Sequence, residues 1–464
     1  MSSVRVLPGF RRKPGKGRIT ESVGGENVGQ RTSVREVAVA SLIGTAIEWY
    51  DFFIFGTAAA LVFGQLFFPS AEPIIGTLYS FAIFGVAFIA RPLGGIVFGH
   101  YGDKIGRKSM LVMTLLIMGV ATTLMGLLPT YESIGIWAPI LLVILRFLQG
   151  VAVGGEWGGA VLMAVEYSPE GRRGFYGSWP QMGSPIGLFL STIVFFLASL
   201  LSQDQFLAWG WRLPFLFSIV LVGVGLFIRL RILETPAFNR VKEGGTEARL
   251  PMIDVLRNDL KNVLLATAIV FVTIGGFYVV TTFTLSYGTE TLGVSRNIML
   301  AGVIIAAISE FVSIPLFAAL SDRVGRRPVA TWSAAFCTLF AFPFFWLLET
   351  RSTGLIWLAF AVIAFAMGGV YGPASSFIAE LFDTRVRYSG ASLGYQFSGV
   401  LSGAFAPLIA TALLASFGGA SWPVAFYLAA LSLVSLVGAY LAVETYRSDI
   451  YGGRPREREA IVEG

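Results

Sequence analysis

Charge is scarce in this chain: 13% of its 464 residues are Asp, Glu, Lys or Arg, where a soluble globular domain carries about 25%. Histidine and cysteine are almost missing, with one of each, His100 and Cys337. A lone cysteine inside an apolar run permits no intramolecular disulfide, so a disulfide scaffold is excluded and the redox compartment is not readable. There is no metal-ligand cluster, no Ser-His-Asp set and no Gly-Lys-Ser/Thr phosphate loop. We therefore expect no enzyme, no metal, no cofactor and no ATP-driven chemistry. The formal charge of +6 comes from basic residues scattered among apolar runs, which is where a membrane protein keeps its orientation signal; no nucleic-acid partner is implied.

What is abundant is hydrocarbon, 55% of residues, gathered in stretches of about 20 residues, the length that crosses a bilayer as helix. Apolar runs fall near 37–66, 74–99, 109–128, 136–165, 175–201 and 212–232, and then near 262–287, 298–320, 328–348, 355–381, 389–415 and 422–444. This predicts an all-α integral membrane protein with twelve transmembrane helices. Residues 1–36 and 446–464 read as polar tails, 37–232 and 262–445 as six-helix bundles, and 233–261 as a charged linker. Lys104, Arg107, Lys108, Arg172, Arg173, Arg323, Arg326, Arg327, Arg385 and Arg387 lie in loops on the side of the tails, against Arg212, Arg296 and Arg351 opposite. The positive-inside rule then places both tails and the linker in the cytoplasm. Trp137, Trp209, Trp211 and Trp422 fall at outer helix ends and read as interface anchors.

The two sets of runs repeat each other. Asp103-Lys-Ile-Gly106-Arg107-Lys108 after the second run matches Asp322-Arg-Val-Gly325-Arg326-Arg327 after the eighth. Gly154, Gly155, Gly158, Glu166 and Arg173 recur at one constant offset as Gly368, Gly369, Gly372, Glu380 and Arg387. A constant offset through helix and loop implies two pseudo-symmetric halves in parallel orientation. Gly154, Gly155, Gly158 and Gly159 suit close helix approach.

Arg91-Pro-Leu-Gly-Gly-Ile-Val-Phe-Gly-His-Tyr-Gly-Asp103-Lys-Ile-Gly-Arg-Lys resembles the signature loop of the major facilitator superfamily. Glu48-Trp-Tyr-Asp51-Phe, Arg146-Phe-Leu-Gln-Gly150 and Gly154-Gly-Glu156-Trp-Gly-Gly159 are similar to its metabolite:proton symporter branch, nearest to shikimate-type members. The resemblance, over about residues 35–445, implies a bacterial inner-membrane carrier of a small organic acid, driven by a proton gradient and functional as a monomer. Only about twenty polar residues without heptads follow residue 445, unlike the betaine-type members. A zwitterion symporter, a cation or drug efflux antiporter and a solute-binding membrane sensor stay open beside the acid importer.

Six ionisable side chains fall inside the apolar runs: Glu48, Asp51, Arg91, Arg146, Glu156 and Glu310. Each costs roughly 2.5–3.5 kcal/mol in hydrocarbon and is a functional candidate for that reason. Four acids face two arginines, so protonation is the cheapest remedy for the excess. Glu48 and Asp51, three residues apart, share one helix face and are the candidate proton-coupling acids; the competing reading makes Asp51 an ion-pair lock to Arg91 or Arg146. Those arginines each need an anion, from the protein or the substrate, and with Glu156 form the candidate anion-binding and coupling set. Glu310, Tyr176, Gln181, Tyr278, Tyr371 and Gln396, together with Tyr50, are candidate cavity residues. His100 sits at a helix end and has no part in a midplane relay. Asp103, Arg107, Glu166 and Arg173, with Asp322, Arg326, Glu380 and Arg387 as the second copy, form the candidate cytoplasmic gate, against the plainer reading as topology signals.

The orientation is directly testable in a Cys337→Ser background. A cysteine at Gly244 in the linker should react with a membrane-impermeant maleimide in inside-out vesicles only, and one at Ser352 in intact cells only. The opposite pattern overturns the orientation.

Overall fold

In hydrocarbon a single segment satisfies its backbone polar groups only as a helix, and every regular element of the described residues is helical. The computed structural model describes residues 34–447, apart from 106, 155–160, 162–163, 166–167, 170, 232–250 and 384–385. The main helices are α1 (Leu42–Phe67), α2 (Pro73–Ile105), α3 (Arg107–Leu127), α4 (Trp137–Val153), α5 (Arg173–Ala198) and α6 (Leu213–Arg231). They continue as α7 (Leu260–Thr291), α8 (Arg296–Val324), α9 (Arg326–Glu349), α10 (Thr353–Glu380), α11 (Arg387–Ser416) and α12 (Trp422–Leu441). Ten helices of the described residues are long and apolar enough to cross a membrane, and Val112–Leu127 and Trp137–Val153 are shorter apolar ones. Large apolar side chains point outward, Trp332 and Leu339 being 76% and 77% exposed, as a helix surface that meets lipid requires.

Helix packing repeats as the sequence does. In the first set α1 packs on α5 and α6, α2 on α4, and α3 on α4 and α6; in the second, α7 packs on α11 and α12, α8 on α10, and α9 on α10 and α12. The sets meet along α5 with α8 and α2 with α11, which are the same contact under the repeat.

Glycine sets the closest approaches. A Cβ on Gly150 or Gly154 of α4 would overlap the backbone of Ala87 or Arg91 on α2, and Gly368 and Gly372 of α10 meet Ser313 and Ile314 of α8 in the same way. These are small-xxx-small crossings. Of the four glycines expected to serve this role, Gly154 does so; Gly155, Gly158 and Gly159 lie outside the described residues. Gly150 is the addition.

Three of the helices at the centre are not regular. Wide turns, in which the hydrogen bond skips one residue further than in an α-helix, occur at Ala59–Phe63 in α1, at Val272–Gly276, Val279–Phe283 and Tyr287–Thr291 in α7, and at Gly399–Gly403 in α11. One expected anchor is corrected: Trp211 is fully buried, edge-on to Phe63, Phe67 and Phe215, while Trp137, Trp209 and Trp422 are exposed. The end of α1 supplies enough aromatic surface to draw that ring inside.

Gly150→Val forces α2 and α4 apart at a close crossing. It should lower stability by about 1–3 kcal/mol, read as a lower melting temperature of the detergent-solubilised protein; Gly223→Val, with open space around it, should not.

Candidate functional site

The centre is built around one ring. Phe52 on α1 lies between two guanidiniums, with the carbon of Arg91 (α2) 4.4 Å and that of Arg146 (α4) 4.1 Å from its centroid. Arg91 also faces Phe88 at 4.5 Å and Trp49 at 5.6 Å, and Arg146 faces Phe55 at 4.1 Å and Phe84 at 5.1 Å. Both arginines are buried. A desolvated cation over an aromatic face is worth about 2 kcal/mol or more, so several faces together offset much of the penalty of burial. Arg146 gives Nη1 to the side-chain oxygen of Gln149 and Nη2 to the carbonyl of Phe84, 3.4 Å away. It has no carboxylate partner among the described residues. Nε and Nη2 of Arg91 and Nε of Arg146 find no acceptor there either.

Asp51 turns into the first set. One carboxylate oxygen accepts from Ser218 Oγ on α6, while Thr122 on α3 donates to the Met118 carbonyl at 2.8 Å and Oδ2 has no partner among the described residues. Gln149 joins the two centres: its Nε2 donates to Thr122 Oγ1 and to the Asp51 carbonyl, both at 2.9 Å, while its oxygen holds Arg146. Glu48, one turn earlier, lies instead within electrostatic reach of Arg91. Sixty degrees of helix rotation is enough to send the two acids to different neighbours. The lock reading, an ion pair from Asp51 to an arginine, is not formed among the described residues.

The second set supplies hydroxyls and one acid. Tyr278 on α7 packs its ring on Phe84 and Phe88, at 5.0 and 5.4 Å, within electrostatic reach of both arginines, and its hydroxyl has no partner among the described residues. The hydroxyls of Tyr371 (α10) and Tyr395 (α11) lie 3.4 Å apart. Glu310, in the middle of α8, is buried near them. Gln396 donates to the carbonyl of Gly154 at 3.2 Å, tying α11 to α4. Gln181 is buried on α5, and half-buried Tyr176 stacks on Trp179. Tyr50 is not available to a cavity, because its hydroxyl donates to the Pro214 carbonyl at 2.7 Å inside the first set. The side chains of Glu156 and His100 lie outside the described residues.

The two sets also touch at both ends. At the end where α8 turns into α9, Asp322 accepts from the backbone N–H groups of Gly174 and Phe175, at 2.8 and 2.9 Å, and so caps the start of α5 with an acid from α8. Arg326 holds Asp322 at 2.7 Å and Glu380 at 3.4 Å, Thr445 donates to Glu380 at 2.7 Å, and Ser376 donates to the Arg173 carbonyl at 2.8 Å. Arg387 Nε donates to the carbonyls of Ala379 and Phe382. The side chains of Asp103, Arg107 and Glu166 lie outside the described residues. At the opposite end Thr77 donates to Glu290 at 3.3 Å, and Arg296 reaches Gln203 at 3.1 Å and the Ser199 carbonyl at 3.2 Å. Between the two closures Asp51, Arg91, Arg146, Tyr278, Glu310, Tyr371 and Tyr395 are 0–4% exposed, an occluded arrangement. Among the described residues no three His, Cys, Asp or Glu side chains gather as metal ligands.

Sequence reasoning missed Gln149, Thr122, Ser218 and Phe52. Gln149 was within reach, since it follows Arg146 by three residues and shares its helix face. Ser218 and Thr122 are single hydroxyls in apolar runs, with nothing in the sequence to mark them.

Comparison with known proteins adds the following. Residues 41–403 match the family model of the Major Facilitator Superfamily. The chain is 44% identical over 421 residues to the shikimate transporter of Escherichia coli (strain K12), covering 89% of this chain and 95% of that one. It is 42% identical over 419 residues to the inner membrane metabolite transport protein YhjE of the same organism, with 89% and 95% covered. Among solved structures it superimposes on the inward open xylose transporter XylE from E. coli with a TM-score of 0.69 at 16% identity, covering 92% of this chain and 100% of that one.

Asp322→Ala removes both the cap on α5 and one of the partners of Arg326. It should raise the labelling rate of a cysteine placed at Ser376 by a maleimide applied from the inner face, several-fold over the same cysteine with Asp322 intact. An unchanged rate shows that the contact does not hold the inner end closed.

Proposed function

We infer from membership of the major facilitator superfamily, to which this chain belongs, and from its central site, that it imports a small organic acid together with protons. It is a multi-pass membrane transporter of a small molecule and not an enzyme. The observation that carries the finer reading is the pair of buried arginines on Phe52, with donor nitrogens of both lacking acceptors among the described residues. A guanidinium binds a carboxylate through parallel charge-assisted hydrogen bonds, and a carboxylate cargo supplies the anion that Arg146 does not find in the described protein. Similarity to a shikimate transporter supports a cargo of the shikimate, oxoacid or dicarboxylate type.

The coupling runs through residues in contact. Asp51 is a buried acid with no cation beside it among the described residues, so a proton supplies the neutralisation, with Glu48 within electrostatic reach of Arg91 as the second acid. Gln149 touches the Asp51 backbone, Thr122 and Arg146 together, and a change of charge at Asp51 therefore reaches the guanidinium that holds the cargo. With proton and anion both aboard, the added charges at the centre cancel and the bundles 37–232 and 262–445 rock about it. The contacts of Asp322, Arg326, Glu380 and Ser376 hold the inner end shut, and those of Thr77, Glu290 and Arg296 the outer end, in alternation. The site of action is a bacterial inner membrane with both tails inside, and one chain suffices.

Proteoliposomes loaded at neutral pH and placed in acid medium should accumulate labelled shikimate or 2-oxoglutarate, and a protonophore should abolish the accumulation. Asp51→Asn should keep counterflow exchange and lose gradient-driven accumulation. Arg146→Gln should cut uptake by about tenfold or more, from the loss of charge-assisted hydrogen bonds. Accumulation that ignores the pH gradient sinks the coupling, and uptake of glycine betaine in place of the acids sinks the cargo class.

A further inference from the structure

The centre is chemically lopsided. Helices α2 and α4 bring guanidinium groups to it, while α8, α10 and α11 bring an acid and hydroxyls. Glu310 is 2% exposed, and among the described residues its carboxylate has neither a hydrogen-bond donor nor a cation, although its backbone carbonyl accepts from Ser313. A buried carboxylate that the protein does not satisfy has its partner in a ligand or a proton. Within its electrostatic reach lie the hydroxyls of Tyr371 and Tyr395, 3.4 Å from each other, on α10, which packs against α8, and on α11. Ser375 follows Tyr371 by four residues and Ser398 follows Tyr395 by three, so each shares a helix face with its tyrosine; both serine hydroxyls are buried and have no partner among the described residues.

We propose that Glu310, Tyr371 and Tyr395 form a subsite for the hydroxyl groups of the cargo, which is therefore a hydroxylated carboxylate held by its acid on Arg91 and Arg146. This deepens the organic-acid reading above and rests on it. A hydroxyl donates once and accepts twice, so one cargo hydroxyl can give its proton to Glu310 and accept from a tyrosine, and a carboxylate acceptor makes that bond a strong one. A quaternary ammonium fits the subsite poorly. It is recognised by open aromatic faces, and here Phe52, Phe55 and Phe88 already face the arginines, while Tyr371 and Tyr395 meet through their hydroxyls. A cargo that touches both groups of helices also explains how its arrival draws them together: the acid alone engages the first set only.

The test uses the full-length protein in proteoliposomes and counterflow exchange, which needs no proton gradient. Labelled shikimate, a trihydroxylated ring acid, is compared with cyclohex-1-ene-1-carboxylate, the same ring without hydroxyls. The unsubstituted protein should favour the hydroxylated acid by about tenfold or more, the effect of buried hydrogen bonds to a charged group. Glu310→Gln and Tyr371→Phe should each shrink that preference by weakening exchange of the hydroxylated acid, with the bare acid held within about twofold. Equal loss of both acids, or no preference in the unsubstituted protein, overturns the subsite while the organic-acid reading stands. Exchange of neither acid by folded, unsubstituted protein overturns that reading and the subsite with it. Should Glu310→Gln fail to fold, Tyr371→Phe, which removes one oxygen, decides by the same ratio.

Discussion

Two guanidinium groups share the ring of Phe52, and the arrangement of the molecule follows from the need to keep them in hydrocarbon. A permanently charged side chain cannot shed its proton to escape a low dielectric, so it has to be solvated by what the helices carry. Here that solvent is aromatic: Phe52, Phe55, Phe84, Phe88 and Trp49 face the two cations. A ring quadrupole lowers the cost of burial without neutralising the charge. Arg146 is thus kept inside the protein in a form still able to take an anion, which a tight protein carboxylate would have prevented.

The same economy of contact appears at the ends. Asp322 caps the first turn of α5 with a carboxylate from α8, and Arg326 stands behind it. The cap joins helices from opposite sets, whereas Arg326 and Asp322 belong to the same set. Gly325, at a φ of 113° between α8 and α9, lets the chain turn there and leaves room for the Glu444 carboxylate to accept from the N–H groups of Arg326 and Arg327. The outer contacts are weaker in kind, a threonine on Glu290 and an arginine on a glutamine and a carbonyl. An uneven pair of closures is what a carrier needs if its cargo is to tip the balance between them.

Irregular helix marks three of the helices at the centre. The wide turns of α1, α7 and α11 re-aim side chains without breaking the span, and Tyr278 sits between two of them. Against this, α2 with α4 and α8 with α10 are clamped by glycine and form the stiff parts. Arg91 and Arg146 stand on the first clamped pair, and Glu310 and Tyr371 on the second, so these buried polar groups are mounted where the backbone is most constrained.

By itself the sequence determined where the helices run, that the second six repeat the first, and which charged side chains are out of place in an apolar run. These are properties of composition and period along one dimension, and a bilayer's thickness and low dielectric act on them directly. It also marked Arg91, Arg146, Asp51 and Glu310 as residues to explain. Only the tertiary structure decided their partners. Asp51 meets Ser218 from another helix, Arg146 meets Gln149 and phenylalanine rings with no acid beside it among the described residues, and Glu310 lies within electrostatic reach of tyrosines carried by α10 and α11. Helix rotation decides each of these meetings. That rotation comes from how side chains interlock across crossings such as Gly150 on Ala87, and no spacing along one helix reports it.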